Sequence, residues 1–401
     1  MSNYFLAALN KTYKRGLIDD KSLLVLYCKR NGKRKTLMYL CNLMSEAPLI
    51  NIRELAEDQI KNWLLEQKEQ SFRSKQIWEW LWAKSVRDFD LMTNLSKLLR
   101  EKLKETFVIH GVEIDTSQIS RDRTIKDAFR LYDGKIVEGV LIPTDTRMTA
   151  CVSSQVGCSL TCTFCATGRL ERLRNLEAGE IYDQVAILKQ QAEEKYGIPL
   201  SNIVYMGMGE PLLNYSNVLE SIERITSPNG LNMSPQRITV STAGIAKMIK
   251  RLGDDEVRFN LALSLHAAND IKRNKIMPIN EQNSLDALAE ALNYFTEKTG
   301  TRVTFEYIVF DKFNDELSDA KELEEFCRRT KAKVNLIEYN PIDEGVYVNA
   351  KTEKIEAFKN YLENRGIIVN IRRSRGKDID AACGQLANKN EHAVVQLKSK
   401  A

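Results

Sequence analysis

Three cysteines fall within eight residues, in the run Val156-Gly157-Cys158-Ser159-Leu160-Thr161-Cys162-Thr163-Phe164-Cys165, a C-x3-C-x2-C spacing with no fourth cysteine close behind. Three thiolates on one short loop can hold three irons of a 4Fe-4S cluster and leave the fourth iron open, whereas a structural zinc site takes four protein ligands to close its tetrahedron. An open iron is a place for chemistry. The competing readings are a zinc knuckle with a distant fourth ligand, or three buried thiols that do nothing.

Further residues of chemical interest lie downstream. Gly207-Met208-Gly209-Glu210-Pro211 is a glycine loop in which the backbone can approach a ligand closely and Glu210 can accept from a cationic amino group. Ser241, the run Ser264-Leu265-His266 and Asn340 add polar groups. Each alone is ordinarily structural; together they suggest a cofactor pocket. Near the C-terminus, Cys383 follows Arg372, Arg373, Arg375 and Lys377, a setting that favours a thiolate and RNA phosphate alike. Cys151 precedes the cysteine loop by seven residues. Cys28, Cys41 and Cys327 have no comparable surroundings.

The elements that must position these residues read as alternating strand and helix after Met148. Strands are expected at 149–154, 202–206, 237–241, 257–264, 302–309 and 333–338, with helices near 177–195, 214–226, 243–251, 284–298, 315–329 and 351–364 and a last extended segment at 367–372. Six consecutive strand-helix units mean parallel strands wrapped by helices. The three-cysteine loop, Gly207–Pro211, the run from Ser241, Ser264-Leu265-His266 and Asn340 all follow the C-terminal ends of strands, the active face of a β/α barrel. The expected fold is therefore α/β, a partial (β/α)6 barrel over 149–388, open enough at its mouth for a macromolecule. Before it, 44–107 reads as a helical accessory domain, with Leu55, Ile60, Trp63, Leu64, Ile77, Trp78, Leu81 and Trp82 at helical spacing. The run from Phe72 to Leu81 mixes basic and aromatic residues that can meet RNA, although most of its aromatics suit a core. A short β linker over 108–148 turns at Asp133-Gly134. Residues 389–401 form a tail.

The chain has 401 residues, 43% of them hydrophobic, enough for a large core. No stretch is long and apolar enough to span a membrane, and eight cysteines are few for a disulfide scaffold of this length, so a cytoplasmic protein is expected. The net charge of +5 is concentrated. Nine Lys or Arg against Asp19 and Asp20 lie in residues 1–43, so the rest of the chain is slightly acidic and bulk charge does not argue for nucleic acid. Residues 1–43 read as a basic extension without catalytic role, either a tail or upstream sequence translated from too early a start.

The whole pattern resembles the radical S-adenosylmethionine RNA methyltransferases that methylate carbon 2 of adenine in 23S rRNA and in tRNA next to the anticodon. The resemblance covers residues 50 to 388 and rests on Val137-Glu138-Gly139-Val140-Leu141-Ile142-Pro143, the run from Cys151 through Cys158, the Gly207–Pro211 loop, Ser264-Leu265-His266, and Asp380-Ala381-Ala382-Cys383-Gly384-Gln385-Leu386. Gly139 stands where the family more often has threonine, a departure expected to be harmless.

The resemblance implies a radical-SAM barrel in which Cys158, Cys162 and Cys165 hold the cluster, and Gly209, Glu210, Ser241, Ser264, Leu265, His266 and Asn340 bind S-adenosylmethionine. It implies two cofactor molecules per turnover: one methylates Cys383, and the second yields a radical that activates the methyl group for addition to the base. Glu138 then accepts the ring proton, and Cys151 attacks Cys383 to release product through a transient disulfide. Carbon 2 of adenine is electron-poor, which explains why polar methyl transfer does not suffice. A monomer and a flavodoxin-type electron donor are expected of the family, and the base must be unstacked to be reached. Two other activities compete: methylation of adenine carbon 8 on the same scaffold, and a zinc-dependent RNA-binding module without catalysis.

Overall fold

The computed structural model describes residues 49–389, 393 and 395–398. The expected basic extension, 1–43, lies outside the described residues, as does much of the tail. The chain divides into two compact units, residues 51–102 with 109–401, and residues 1–50 with 103–108.

The larger unit is built on a ten-stranded sheet whose order in space is its order in the chain. β1 (Glu113–Ile119), β2 (Ile125–Arg130), β3 (Ile136–Pro143) and β4 (Met148–Cys151) form an antiparallel meander. The Asp133-Gly134 turn joins β2 to β3, with Gly134 at φ +77°. From β4 onward every pairing is parallel, through β5 (Asn202–Tyr205), β6 (Ile238–Thr242), β7 (Asn260–Ser264), β8 (Thr304–Ile308), β9 (Lys333–Ile337) and β10 (Val369–Arg372). The last extended segment is thus a seventh parallel strand after six crossovers. β1 and β10 are opposite edges, so the barrel is open. The β-rich stretch before residue 148 continues the same sheet, Val140 pairing with Cys151.

Ten helices accompany the sheet among the described residues: α1 (Glu57–Glu66), α2 (Arg73–Trp78), α3 (Lys97–Thr106), α4 (Ala178–Tyr196), α5 (Tyr215–Thr226), α6 (Ala246–Asp254), α7 (Asp270–Ile276), α8 (Leu285–Thr299), α9 (Leu317–Thr330) and α10 (Thr352–Glu363). Their ends follow local chemistry. Ser284 caps α8 by accepting from Ala287 N, and Gly300 at φ +68° stops it. The strands are short and apolar because both faces are covered; Leu261, Ala262 and Leu263 of β7 are fully buried.

The segment before the sheet is seated on α4. Arg53 Nη1 lies 2.8 Å from Asp183 Oδ1, both side chains almost fully buried. Trp82 meets Tyr182 edge-on at 5.1 Å, and Tyr182 Oη donates to Trp82 O. In the aromatic-basic run, Trp78 is buried with Trp82, while Phe72 is exposed and Trp80 carries Lys84 on its ring at 3.7 Å.

Candidate active site

The strands end on a cleft of about 880 Å³. Cys158, Cys162 and Cys165, all on the loop after β4, line it together. The loop is held from three sides: Thr163 N donates to Ile276 O at 3.0 Å, Ala166 N to Gly384 O at 2.7 Å, and Leu160 N to Cys158 Sγ at 3.4 Å. Cys162 and Cys165 rest against an apolar cluster that includes Phe164, Met277, Ile308 and Phe310. Burial pushes the Cys158 thiol up to about 12 and raises Cys162 and Cys165 as well, with the neighbouring thiols adding to it at Cys162. Thiols in such a setting stay neutral until a metal replaces their protons. Among the described residues no three His, Cys, Asp or Glu side chains gather around a single ion position. The three thiols instead surround one cleft, the arrangement a polynuclear cluster with one thiolate per iron needs.

The opposite wall carries the residues expected to hold a cofactor. Gly209 has φ +97°, and a Cβ there would lie 2.5 Å from Gln155 Cβ, so only glycine lets this loop pass. The Glu210 carboxylate is buried; it accepts from Leu212 N at 3.0 Å and Ala243 N at 2.8 Å, tying the loop after β5 to the end of β6. Burial raises its pKa against those two bonds. Ser241 and Ser264 hydroxyls are 3.2 Å apart at the ends of β6 and β7, and both line the cleft. His266, at φ +54°, accepts from Ile308 N on Nδ1 at 3.1 Å, and burial lowers its pKa to about 3. It is therefore a neutral imidazole with Nε2–H left to donate.

Two of the expected residues stand behind this wall. Leu265 is fully buried and outside the lining; its backbone joins Glu306 O and the Arg273 guanidinium. Asn340 Nδ2 donates to Cys383 O at 3.2 Å, while its buried Oδ1 has no hydrogen-bond partner among the described residues.

Cys383 lines the cleft, half-buried. Cys151 lies behind it, buried, and the Cys383 thiol and the Arg372 guanidinium face its sulfur. Burial pushes Cys151 up to about 12. Arg372, at the end of β10, points into the cleft with Nη1 3.2 Å from Glu306 Oε2. Glu138 sits outside the lining. Its carboxylate accepts from Ala387 N at 2.8 Å and Asn388 N at 3.0 Å, and Lys126 Nζ lies 3.3 Å away. Because Val140 pairs with Cys151, Glu138 shares that sheet face two residues along β3. At Gly139 a Cβ would meet Phe129 Cε2 at 2.6 Å, so the glycine suits the place Phe129 takes on the neighbouring strand.

Sequence reasoning missed Arg273, a fully buried residue of the short helix α7. It donates to Leu265 O, Ser264 O at 3.1 Å and Ala243 O at 2.5 Å, bracing the two strand ends that carry the cofactor wall. Seven residues with five charges or amides give no apolar period, so nothing local pointed to it. Arg372 was visible under the same strand-end rule that found the others. Arg372, of the basic run before Cys383, pairs inward with Glu306, and Arg174 pairs with Asp133 and Glu180.

Comparison with known proteins agrees with this geometry. Residues 50–109 match the family described as ribosomal RNA large subunit methyltransferase N-terminal domain, and residues 152–326 match the radical SAM superfamily. A Cytophaga hutchinsonii protein named "Probable dual-specificity RNA methyltransferase RlmN" is 58% identical over 88% of this chain and 98% of its own length. A Bacillus velezensis protein of the same name is 45% identical over 86% and 95%. The crystal structure of a radical SAM methyltransferase from Sphaerobacter thermophilus superposes with a TM-score of 0.80 at 38% identity, covering 84% of this chain and 99% of that one. With near-full-length identity of this order, the chain belongs to the RlmN family of RNA methyltransferases, radical S-adenosylmethionine enzymes that work with a 4Fe-4S cluster.

Proposed function

We propose that this protein methylates carbon 2 of an adenosine in 23S rRNA and of the adenosine next to the anticodon in tRNA. The observation that carries the proposal is Cys383 lining the same cleft as the three loop cysteines, with Arg372 in that lining and Cys151 behind it. When bound, the cluster and two S-adenosylmethionine molecules supply the methyl group and the one-electron chemistry that an electron-poor carbon requires.

The chain's own residues divide the remaining work. Cys158, Cys162 and Cys165 would hold three irons. Gly209, Glu210, Ser241, Ser264 and His266 would contact the cofactor, Glu210 through lone pairs left free by its two backbone bonds and His266 as a neutral donor. Leu265 and Asn340 act from behind, fixing the wall and the Cys383 loop. Cys383 accepts the methyl group as a thiolate beside the Arg372 guanidinium. Glu138 takes the ring proton, and Cys151 displaces the adduct by forming a disulfide with Cys383. Exposed Arg121, Arg123, Arg172, Arg373 and Arg375, with Phe72 and Trp80 of the helical accessory domain, 44–107, form the RNA-binding surface. A monomer working in the cytoplasm with a flavodoxin-type reductant completes the proposal.

Mass spectrometry of nucleosides from ribosomal and transfer RNA of cells with and without the gene tests it. Loss of 2-methyladenosine from both pools is expected. Loss of 8-methyladenosine would transfer the assignment to the sister activity, and unchanged RNA would overturn methylation.

A further inference from the structure

The C-terminal segment reaches back onto the cysteine loop. Leu397 forms an antiparallel bridge with Leu170, Glu171 N donates to Gln396 O at 2.8 Å, and Lys398 N donates to Arg169 O at 2.9 Å. These contacts add a short strand to the exit of the loop, a pairing that fixes register through the main chain and is indifferent to side-chain identity. The Lys398 side chain then turns across the loop. Its Nζ donates to Leu160 O at 2.5 Å and to Gly168 O at 2.9 Å. Leu160 lies between Cys158 and Cys162, and Gly168 follows Cys165 by three residues with its N–H on Cys165 O at 3.1 Å. One ammonium thus clamps the entering and leaving limbs of the loop that presents all three thiols.

The charge of that ammonium has few other outlets. The acidic groups facing it are Cys158, Cys162, Cys165 and Glu171. A half-buried lysine whose donors go to two carbonyls, and whose acidic neighbours are mainly thiols, is placed to act where those thiols become metal-bound thiolates. From this geometry we infer that Lys398 is a positioning residue for the cluster: it staples the cysteine loop closed and holds a positive charge beside its thiolates. The inference rests on the cluster assignment made above. A cation there favours the state with the extra electron, because reduction adds negative charge to the cluster while leaving the ammonium in place.

The test uses the full chain after anaerobic reconstitution, with Lys398→Met to keep length and remove charge, and Lys398→Arg to restore charge. Iron release to a chelator and the cluster's midpoint potential are read directly, and the melting temperature of each metal-free protein controls for folding. Lys398→Met is expected to release iron about tenfold faster, as losses in the shell around metal ligands do, and to titrate at a more negative potential. Lys398→Arg is expected to recover the potential. An unchanged release rate in Lys398→Met overturns the staple, and an unchanged potential overturns the electrostatic role. A fall in the metal-free melting temperature equal to that of the holoprotein would assign Lys398 to general stability and overturn both. If the unsubstituted chain takes up no 4Fe-4S cluster, the reading beneath the inference fails with it.

Discussion

The seam between the N-terminal helical segment and α4 and the cleft at the barrel mouth bury ionisable groups in opposite ways. At the seam and beside it the buried carboxylates face guanidinium groups. Asp183 receives Arg53 at 2.8 Å, Arg87 at 3.5 Å and Val112 N at 3.0 Å, while Arg174 bridges Asp133 and Glu180. In and just behind the cleft, the three loop thiols, Cys383, Cys151, Glu210 and a neutral histidine gather with far fewer counter-charges. Burial there raises four thiols and Glu210 and lowers His266. Folding alone gives little reason to collect such groups, since burial costs them hydration that backbone N–H groups replace only in part. Charges paired with opposite charges mark structure; titratable groups gathered in a cleft with few counter-charges mark a place for a ligand.

The largest effect should come from removing what the cleft is built to hold. Alanine at any one of Cys158, Cys162 or Cys165 is expected to abolish S-adenosylmethionine cleavage, read as deoxyadenosine formed by the reconstituted enzyme; an active triple variant would break the comparison outright. Next come the two thiols outside the loop, which should fail differently. Cys383→Ala should neither acquire a methyl group nor couple to RNA. Cys151→Ala should be methylated and attack the base, then stall as a protein bound covalently to RNA, visible on denaturing gels as a ribonuclease-sensitive shift. Free, fully active Cys151→Ala enzyme would remove the covalent route.

At the seam, Arg53→Met leaves Asp183 short of its best partner. A loss of about 3–5 kcal/mol in unfolding free energy is expected, with cluster content at permissive temperature unchanged; chemical denaturation beside iron analysis separates the two. A smaller, graded effect concerns pH. Cys151 attacks as a thiolate, and its raised pKa leaves it protonated near neutrality, so the ionised fraction grows as pH rises. Decay of the RNA-protein adduct in single turnover should accelerate about tenfold per unit between about pH 7 and 9, and a flat profile would mean that the proton has a dedicated acceptor. The smallest effect is expected from a chain beginning at Met44, which should methylate RNA at an undiminished rate.

Much of the cleft was legible because its residues sit at strand ends in runs that local sequence exposes: three cysteines, a glycine loop and a serine-leucine-histidine run. The parallel strands were legible because their apolar runs alternate with helices. The short helix α7 was not, since it lacks an apolar face, and with it went Arg273, whose role depends on three carbonyls from other elements. Basic residues are equally illegible one by one: Arg372, from the run before Cys383, turns inward to Glu306, and Arg174 is held by Asp133 and Glu180. The fit of Gly139 was invisible because the ring that fills the space beside it belongs to Phe129, on the neighbouring strand.

The sequence by itself determined the three-cysteine loop, the α/β order of elements and the face on which the candidate site gathers, because each depends on residue type and spacing along a few neighbouring positions. Tertiary structure decided which thiol stands in the cleft and which behind it, that Glu138 anchors the backbone after Cys383, and that Lys398 returns to the cysteine loop. Those relations join residues far apart in the chain, with Glu138 and Ala387 separated by 249 positions and Lys398 and Leu160 by 238. At such separations only the packing of the sheet and its loops brings donor to acceptor, and no local pattern encodes the meeting.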